Sequence, residues 1–213
     1  MTNKEINNIL KVNDAWEEPT KLMNILYDRQ KRERVFKEFL KLEKDVSYDW
    51  FRQYFEEEQA ERKTKKQDFT PQSLCELLCA LTGSAYSNYD VCSGTGGITI
   101  TKWWSDCIKE NPLTYKPSEH IYVCEELNDR PIPFLLFNCA IRGMNAVVIQ
   151  CDVLSRECKG IFFICNDKDD FLGFSTINLL PYTEEVEKAF KVKFSEHKYK
   201  PLVETPRNLF GEV

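Results

Sequence analysis

The residues best suited to ligand chemistry are Asp90-Val91-Cys92-Ser93-Gly94-Thr95-Gly96-Gly97, a glycine-rich segment that follows an apolar run. Glycine allows left-handed backbone conformations and a close approach of the backbone to a ligand. The helix that we predict to follow presents free N–H groups at its N-terminus, where polar and anionic groups bind. Gly94 and Gly96 are therefore candidates for backbone contact with a bound molecule. The alternative is a turn that serves the fold alone.

Acidic side chains follow the next two strands that we predict. Glu125 and Glu126 come directly after residues 120–124, and Asp152 comes directly after residues 146–151. The carboxyl ends of parallel strands meet at one edge of a sheet, where open α/β sheets bind their ligands. An acid after the second strand is placed to accept hydrogen bonds from ribose hydroxyls, and one after the third can meet an adenine amino group. A solvated acid at a strand end is the alternative for each.

Strands and helices alternate in the part of the chain that carries these residues. We predict strands at residues 86–91, 120–124, 146–151 and 160–165, and helices at residues 72–81, 98–109 and 131–142. This alternation indicates an α/β fold with a mainly parallel sheet and helices on both faces. Thr70 is expected to cap the first of these helices, with Pro71 at its first position. A weaker pattern near the C-terminus allows a strand at 174–180, a helix at 183–190 and a strand at 191–194.

The first 68 residues are polar, rich in charge and free of glycine. Their apolar residues recur every three to four positions, which is typical of amphipathic helices. These residues are Leu22, Ile25, Leu26, Val35, Phe36, Phe39 and Leu40, followed after a break at 45–47 by Trp50, Phe51, Tyr54 and Phe55. We therefore predict an N-terminal helical region over residues 1–68 and an α/β domain over residues 69–213.

The composition limits the classes of function. With 213 residues, 42% of them apolar and 30% charged, the chain has the composition of a soluble globular protein. It lacks the roughly 18 consecutive apolar residues of a membrane span and an apolar leader, so we expect a cytoplasmic protein that does not enter membranes. Nine cysteines with only two histidines indicate buried thiols, not a metal site. The net charge of −5 disfavours a simple polyanion binder.

Five motifs occur in order along residues 68–154. They are Asp68-Phe69-Thr70-Pro71, residues 90–97, Glu126-Leu127-Asn128, residues 138–143 and Cys151-Asp152-Val153-Leu154. In this order they resemble the amino-methylating DNA methyltransferases, and above all the modification subunit of type I restriction–modification systems. The resemblance implies a class I Rossmann-like methyltransferase fold that binds S-adenosylmethionine and methylates the N6 amino group of adenine in DNA.

The resemblance also implies a role for each matching residue. Gly94 and Gly96 would approach the cofactor with their backbone, and Asp90 would face its methionine amino group, directly or through water. Phe69 and Thr70 would close over the methionine end of the cofactor.

The two acids at the following strand ends have implied roles too. Glu126 would bind the ribose hydroxyls and Asp152 the adenine. Glu126 is preferred to Glu125 because it matches the Glu-Leu-Asn pattern of the family.

The sequence departs from the family at the catalytic tetrapeptide. Adenine-N6 methyltransferases carry Asn- or Asp-Pro-Pro-Tyr or -Phe after the fourth strand, where it binds the target amino group and stacks on the flipped base. Here residues 161–165 run into Asn166-Asp167-Lys168-Asp169, without the prolines and the adjacent aromatic residue. Asn166 is the positional equivalent and the catalytic candidate, with Phe171 or Phe174 to stack on the base. A second interpretation places the remnant at residues 178–182.

Two functions follow from these features. The first is a methyltransferase that uses S-adenosylmethionine and acts on DNA adenine. The second is a catalytically inactive methyltransferase-like module that binds a protein partner, such as a specificity subunit or a restriction or defence complex. Only about 45 residues follow Asp169, so we expect a sheet shortened at its C-terminal part. The basic segments 29–34 and 62–66 could contact DNA phosphates. Acidic residues lie beside both segments, however, and this mixture of charges is also typical of a helix face exposed to solvent. A third alternative, a purely helical protein that binds other proteins, would require that the glycine-rich segment has no functional role.

Overall fold

The computed structural model describes residues 1–13, 17–58, 69–83, 86–111 and 114–205. Its N-terminal part contains α1 (Asn3–Leu10), α2 (Glu18–Leu26), α3 (Arg29–Leu42) and α4 (Arg52–Glu58). These elements confirm the predicted helices and the break at 45–47. One amphipathic stretch forms two helices because the Asp28 side chain accepts a hydrogen bond from the Lys31 backbone N–H and starts a new helix there.

The remaining elements agree closely with the predicted ones. They are α5 (Gln72–Thr82), β1 (Ser87–Val91), α6 (Gly97–Lys109), β2 (Ile121–Glu126), α7 (Ile132–Ile141), β3 (Ala146–Cys151), β4 (Glu157–Cys165), β5 (Thr176–Leu179), α8 (Glu184–Phe190) and β6 (Lys193–Phe194). The predicted cap of α5 is wrong by one residue. Pro71, not Thr70, occupies the N-cap position, and its carbonyl oxygen accepts the N–H groups of Leu74 and Cys75. Thr70 therefore lies one residue too far from the helix to cap it.

The sheet has the strand order β1-β2-β3-β4-β5, and β6 pairs with β4. Strands β1, β2 and β3 are parallel, whereas β4 runs antiparallel to β3 and β5 antiparallel to β4. The direction of β4 follows from its connection, because the five residues 152–156 are too few for the crossover that a parallel neighbour needs. The sheet is thus parallel in its core and mixed at one side, which confirms the predicted α/β fold with N-terminal helices.

The main core lies between one face of the sheet and the helices, including those at the N-terminus. Phe137 of α7 is its centre: the ring centroids of Phe36, Phe39 and Phe51 lie 4.7, 4.9 and 5.0 Å from that of Phe137. Three of the predicted apolar residues, Phe36, Phe39 and Phe51, therefore pack directly on α7. The boundary at residue 68 stays a prediction.

The opposite face of the sheet carries a smaller core. In β3, Val147 and Ile149 point to this side, where Val186 of α8 packs, while Ala146 and Val148 belong to the main core. Eight of the nine cysteines are buried, as the composition predicts, and Cys92 is the exposed one. In the part of the chain that the structure describes, no helix has the length and apolar character needed to cross a membrane.

Candidate functional site

The glycine turn, residues 92–97, joins β1 to α6 in a conformation that glycine adopts easily. Gly94 and Gly96 have φ angles of 58° and 100°, in the left-handed region. Both are also closely covered. A Cβ atom on Gly94 would lie 2.8 Å from the Phe69 ring, and one on Gly96 would lie 2.9 Å from the Leu135 side chain. The turn therefore requires glycine at the two positions predicted to contact a ligand.

Glu126 lies at the end of β2 and spans the gap to the glycine turn. Its Oε2 accepts the Gly94 backbone N–H at 2.9 Å, and its Oε1 accepts the Asn128 backbone N–H at 2.7 Å. Burial raises the pKa of the Glu126 carboxyl, and the negative charge of Asp90 adds to the rise. The amide nitrogen of the Asn128 side chain is buried without a hydrogen-bond acceptor among the described residues. An acceptor and an unsatisfied donor thus sit side by side at this strand end.

Asp90 lies near the end of β1, on the wall of a cleft of about 270 Å³ that Tyr89 and Lys102 also line. Its Oδ2 accepts the Thr99 hydroxyl at 2.6 Å, and burial raises the pKa of its carboxyl. Lys102 does not neutralise it, because the Lys102 ammonium pairs with Asp106. Among the described residues, no lysine or arginine forms an ion pair with Asp90 or Glu126. The partly buried carboxylate of Asp90 and the buried one of Glu126 therefore share this edge of the sheet without a cation among the described residues.

Glu125 differs from its neighbour Glu126 in having a partner. Arg156 donates two hydrogen bonds to its carboxylate, at 2.8 and 2.9 Å. Burial opposes ionisation of Glu125, but the hydrogen bonds from Arg156 outweigh it and lower its pKa. Glu125 therefore has an arginine partner and Glu126 has none among the described residues, and the preference for Glu126 stays a prediction.

Asp152 lies at the same edge of the sheet, at the end of β3. Its Oδ1 accepts the backbone N–H groups of Leu154 at 2.8 Å and Ser155 at 3.3 Å, and these hydrogen bonds lower its pKa. The side chain thus caps the turn between β3 and β4, while Leu154 is 91% exposed beside it. Adenine binding by Asp152 stays a prediction.

Phe69 and Thr70 lie at the entrance to α5. The Phe69 ring covers Gly94 and packs edge-on against Phe55, with the ring centroids 5.2 Å apart. The Thr70 carbonyl oxygen lies 3.7 Å from the Cys75 sulfur. Phe69 is thus in contact with the glycine turn, and closure of these two residues over a ligand stays a prediction. Asp68, the first residue of their motif, lies outside the described residues.

Asn166 lies at the opposite edge of the sheet from Glu126. Because β4 is antiparallel to β3, residue 166 follows β4 at the amino end of β3, where its N–H donates to the Asn145 side chain at 2.7 Å. Its Nδ2 donates to the carbonyl oxygens of Gly143 at 3.0 Å and Asp170 at 2.7 Å. The structure therefore does not bring Asn166 together with the glycine turn, Asp90 and Glu126.

The second candidate segment, residues 178–182, and the two phenylalanines proposed to stack on the base make contacts within the protein core. Asn178 is buried in β5, where its Oδ1 accepts the Glu204 N–H at 2.8 Å. The Phe171 ring stacks on Trp103 with the centroids 6.4 Å apart, and the Phe174 ring packs edge-on against Phe36, at 5.1 Å between centroids. None of these three side chains extends the cluster at the carboxyl edge.

Two arginines of the basic segment 29–34 pair with acids of the protein, and DNA contact by this segment stays a prediction. Arg32 is buried, and its guanidinium pairs with Glu204 through two hydrogen bonds at 2.9 and 2.6 Å. Arg29 pairs with Glu33 on the helix surface. The second basic segment, residues 62–66, lies outside the described residues.

One residue that contacts the glycine turn, Asp49, belongs to none of the sequence motifs. Asp49, between α3 and α4, accepts a hydrogen bond from the hydroxyl of Thr95, the residue between the two left-handed glycines. The pattern around Asp49 predicts only a helix break, so no local signal indicated this contact.

A parallel β1–β2–β3 core, a glycine turn after β1 and an acid after β2 define a Rossmann-like methyltransferase fold. Residues 44–159 match the family model of N-6 DNA methylases, and the chain therefore belongs to the N-6 DNA methylase family. Members of this family depend on S-adenosylmethionine. Comparisons with curated proteins and with solved structures found no match.

Proposed function

We propose that this chain binds S-adenosylmethionine at the carboxyl edge of β1 and β2, as a methyltransferase of the adenine-N6 class. The observation that carries this proposal is a pair of carboxylates, the buried Glu126 and the partly buried Asp90, which have no cation among the described residues. Buried charges are normally paired, because an unpaired charge in a low-dielectric site is costly. A ligand with a positive charge and hydroxyl groups supplies what both acids lack.

The residues present fit this cofactor. Glu126 has the carboxylate to accept ribose hydroxyls, Asp90 can face the methionine ammonium group, and the unsatisfied Asn128 amide is a donor for a polar atom of the ligand. Gly94 and Gly96 hold the left-handed backbone of the turn that the cofactor would approach. When bound, S-adenosylmethionine supplies a methyl group activated by its sulfonium charge. Isothermal titration of the purified protein tests the proposal, and a titration without saturable heat would overturn it.

Adenine in DNA is the substrate class that family membership favours for methyl transfer. A transfer step requires an acceptor for the target amino group near the cofactor, and Asn166 and Asn178 are both engaged elsewhere. Radiolabelled methyl transfer to unmethylated DNA is the direct assay of this activity.

Replacing Asn166 by alanine should leave the affinity for S-adenosylmethionine within about twofold of wild type, because the residue lies at the other edge of the sheet. The protein should lose about 1–3 kcal/mol of stability, because the carbonyl oxygens of Gly143 and Asp170 lose their donor. Titration calorimetry and urea unfolding measure the two effects. Loss of methyl transfer at unchanged stability would instead make Asn166 catalytic.

Replacing Asp90 by asparagine should stabilise the unliganded protein at neutral pH and weaken cofactor binding about tenfold. Burial raises the pKa of Asp90, so the folded state holds this proton more tightly than the unfolded chain does. Wild-type stability therefore falls as the pH rises from the ordinary pKa of aspartate through the raised one, and remains lower above it. The Asp90→Asn protein has no ionisable group at this position, so its stability does not fall in this pH range for this reason. Its melting temperature should exceed that of wild type at neutral pH, and the difference should vanish in acid.

A second candidate function, a methyltransferase-like module that binds a protein partner without transferring a methyl group, is favoured by one surface. Strand β1 is an edge strand of the described sheet, and large apolar side chains are exposed on it, on the residue just before it and on α5. They are Leu74, Leu77, Leu78, Leu81, Tyr86, Tyr89 and Val91. In this second function, the chain would bind a specificity subunit or a restriction complex through this surface. Methyl transfer to DNA by the purified chain would rule the candidate out.

A further inference from the structure

The segment between α3 and α4 reaches the glycine turn through a buried carboxylate. Asp49 Oδ2 accepts the Thr95 hydroxyl at 2.5 Å, while its Oδ1 accepts the Phe51 N–H at 2.9 Å and the Asn138 amide at 2.8 Å. Asp49 is 5% exposed, and burial raises its pKa against the lowering by these hydrogen bonds. One side chain thus joins its own segment, the glycine turn and α7.

Two further side chains complete this cluster. The Asn138 amide also donates to the Thr95 carbonyl oxygen at 2.8 Å, so Thr95 is held through both its hydroxyl and its backbone. Arg142 donates to the Asn138 side chain at 2.8 Å, and to the carbonyl oxygens of Val46 and Tyr48 at 2.8 and 2.6 Å. Thr95 and Asn138 are fully buried. The contacts therefore approach the turn from the protein interior.

Thr95 is the point at which the glycine turn can be held. Its neighbours Gly94 and Gly96 have no side chains and are the residues with the most conformational freedom to lose on ordering. Fixing the one residue between them limits the conformations of both. A binding backbone that is ordered beforehand loses less entropy when the ligand arrives.

We propose that Asp49 is a positioning residue for the cofactor site, acting through the Thr95 hydroxyl to hold Gly94 and Gly96 in their binding conformation. The proposal rests on the proposed function, because the ligand is S-adenosylmethionine. Asp49 does not itself face the ligand: both its oxygens are occupied by Thr95, Phe51 and Asn138. Its effect on affinity is therefore transmitted by the turn.

The test compares Thr95→Val with Thr95→Ser. Valine has nearly the shape of threonine but no hydroxyl, whereas serine keeps the hydroxyl and loses a methyl group. Thr95→Val should weaken binding of S-adenosylmethionine about tenfold in titration calorimetry, and Thr95→Ser should stay within about threefold. Adding Asp49→Asn to Thr95→Val should weaken binding little further, since the proposed effect of Asp49 on affinity is transmitted by the Thr95 hydroxyl.

Amide hydrogen exchange of the unliganded protein is the second readout. Thr95→Val should speed exchange at residues 94–97 while the amides of β3 keep their protection. Unchanged affinity together with unchanged exchange in the turn would overturn the proposal, even if the melting temperature fell. If wild-type protein binds no S-adenosylmethionine, the proposed function fails, and the exchange rates alone decide whether Asp49 and Thr95 hold the turn.

Discussion

Replacing Glu126 by glutamine is expected to weaken S-adenosylmethionine binding about a hundredfold or more. Hydrogen bonds to a charged group contribute roughly 1.5–3 kcal/mol each, and the Glu126 carboxylate is the acceptor proposed for two ribose hydroxyls. Glutamine has nearly the same shape but offers one acceptor in place of two, and it removes the negative charge that attracts a cationic ligand. Titration calorimetry on both proteins measures the loss.

The matched control is Glu157→Gln. Glu157 is an exposed acid at the start of β4, at the same edge of the sheet, and its replacement changes the net charge by the same amount. We expect it to bind like wild type. Circular dichroism must show that Glu126→Gln remains folded, because the N–H groups of Gly94 and Asn128 bond to this side chain. A folded Glu126→Gln protein with wild-type affinity would refute the assignment.

The largest expected effect on stability belongs to Arg142. Its replacement by alanine should cost about 3–5 kcal/mol, the range found when one partner of a buried charged network is removed. The guanidinium is buried, which lowers its pKa to about 10, and it donates to Val46, Tyr48 and Asn138. Without it these acceptors lose their donor and the charge of Asp49 loses its nearby cation. Urea unfolding at equilibrium measures the loss.

Arg34→Ala provides the comparison for this prediction. Arg34 is exposed on α3 and donates one long hydrogen bond, 3.3 Å, to the Gln30 carbonyl oxygen. Its replacement should change stability by less than about 0.5 kcal/mol. An Arg142→Ala protein no less stable than Arg34→Ala would show that the buried cluster does not tie residues 45–49 to α7.

The positions of helices and strands could be predicted from the sequence because they depend on local periodicity. The direction of β4 does not follow from its own residues, since a buried apolar strand has the same pattern whichever way it runs. It follows from the length of the connection: the eight residues between the predicted strands are already too few for a parallel crossover, and the observed start at Glu157 leaves five. The placement of Asn166 depends on that direction. Its order along the chain matches the family motif, but the antiparallel strand carries it to the other edge.

The candidate site also contains residues that local sequence predicts and one that depends on long-range packing. The location of Gly94, Gly96 and Glu126 at one edge of the sheet could be predicted because each belongs to a short motif at a strand end. Asp49 could not, because it is 46 residues from Thr95 along the chain and their contact depends on how the N-terminal segment packs against α7. Long-range hydrogen bonds of this kind leave no periodic signal in the sequence.

The central claim is tested most directly by titrating the wild-type protein with S-adenosylmethionine, with Glu126→Gln and Glu157→Gln in parallel. The structure predicts saturable binding at one site per chain, lost in Glu126→Gln and kept in Glu157→Gln. Absence of saturable binding to a folded wild-type protein, or equal binding by all three proteins, would contradict a cofactor site at the ends of β1 and β2.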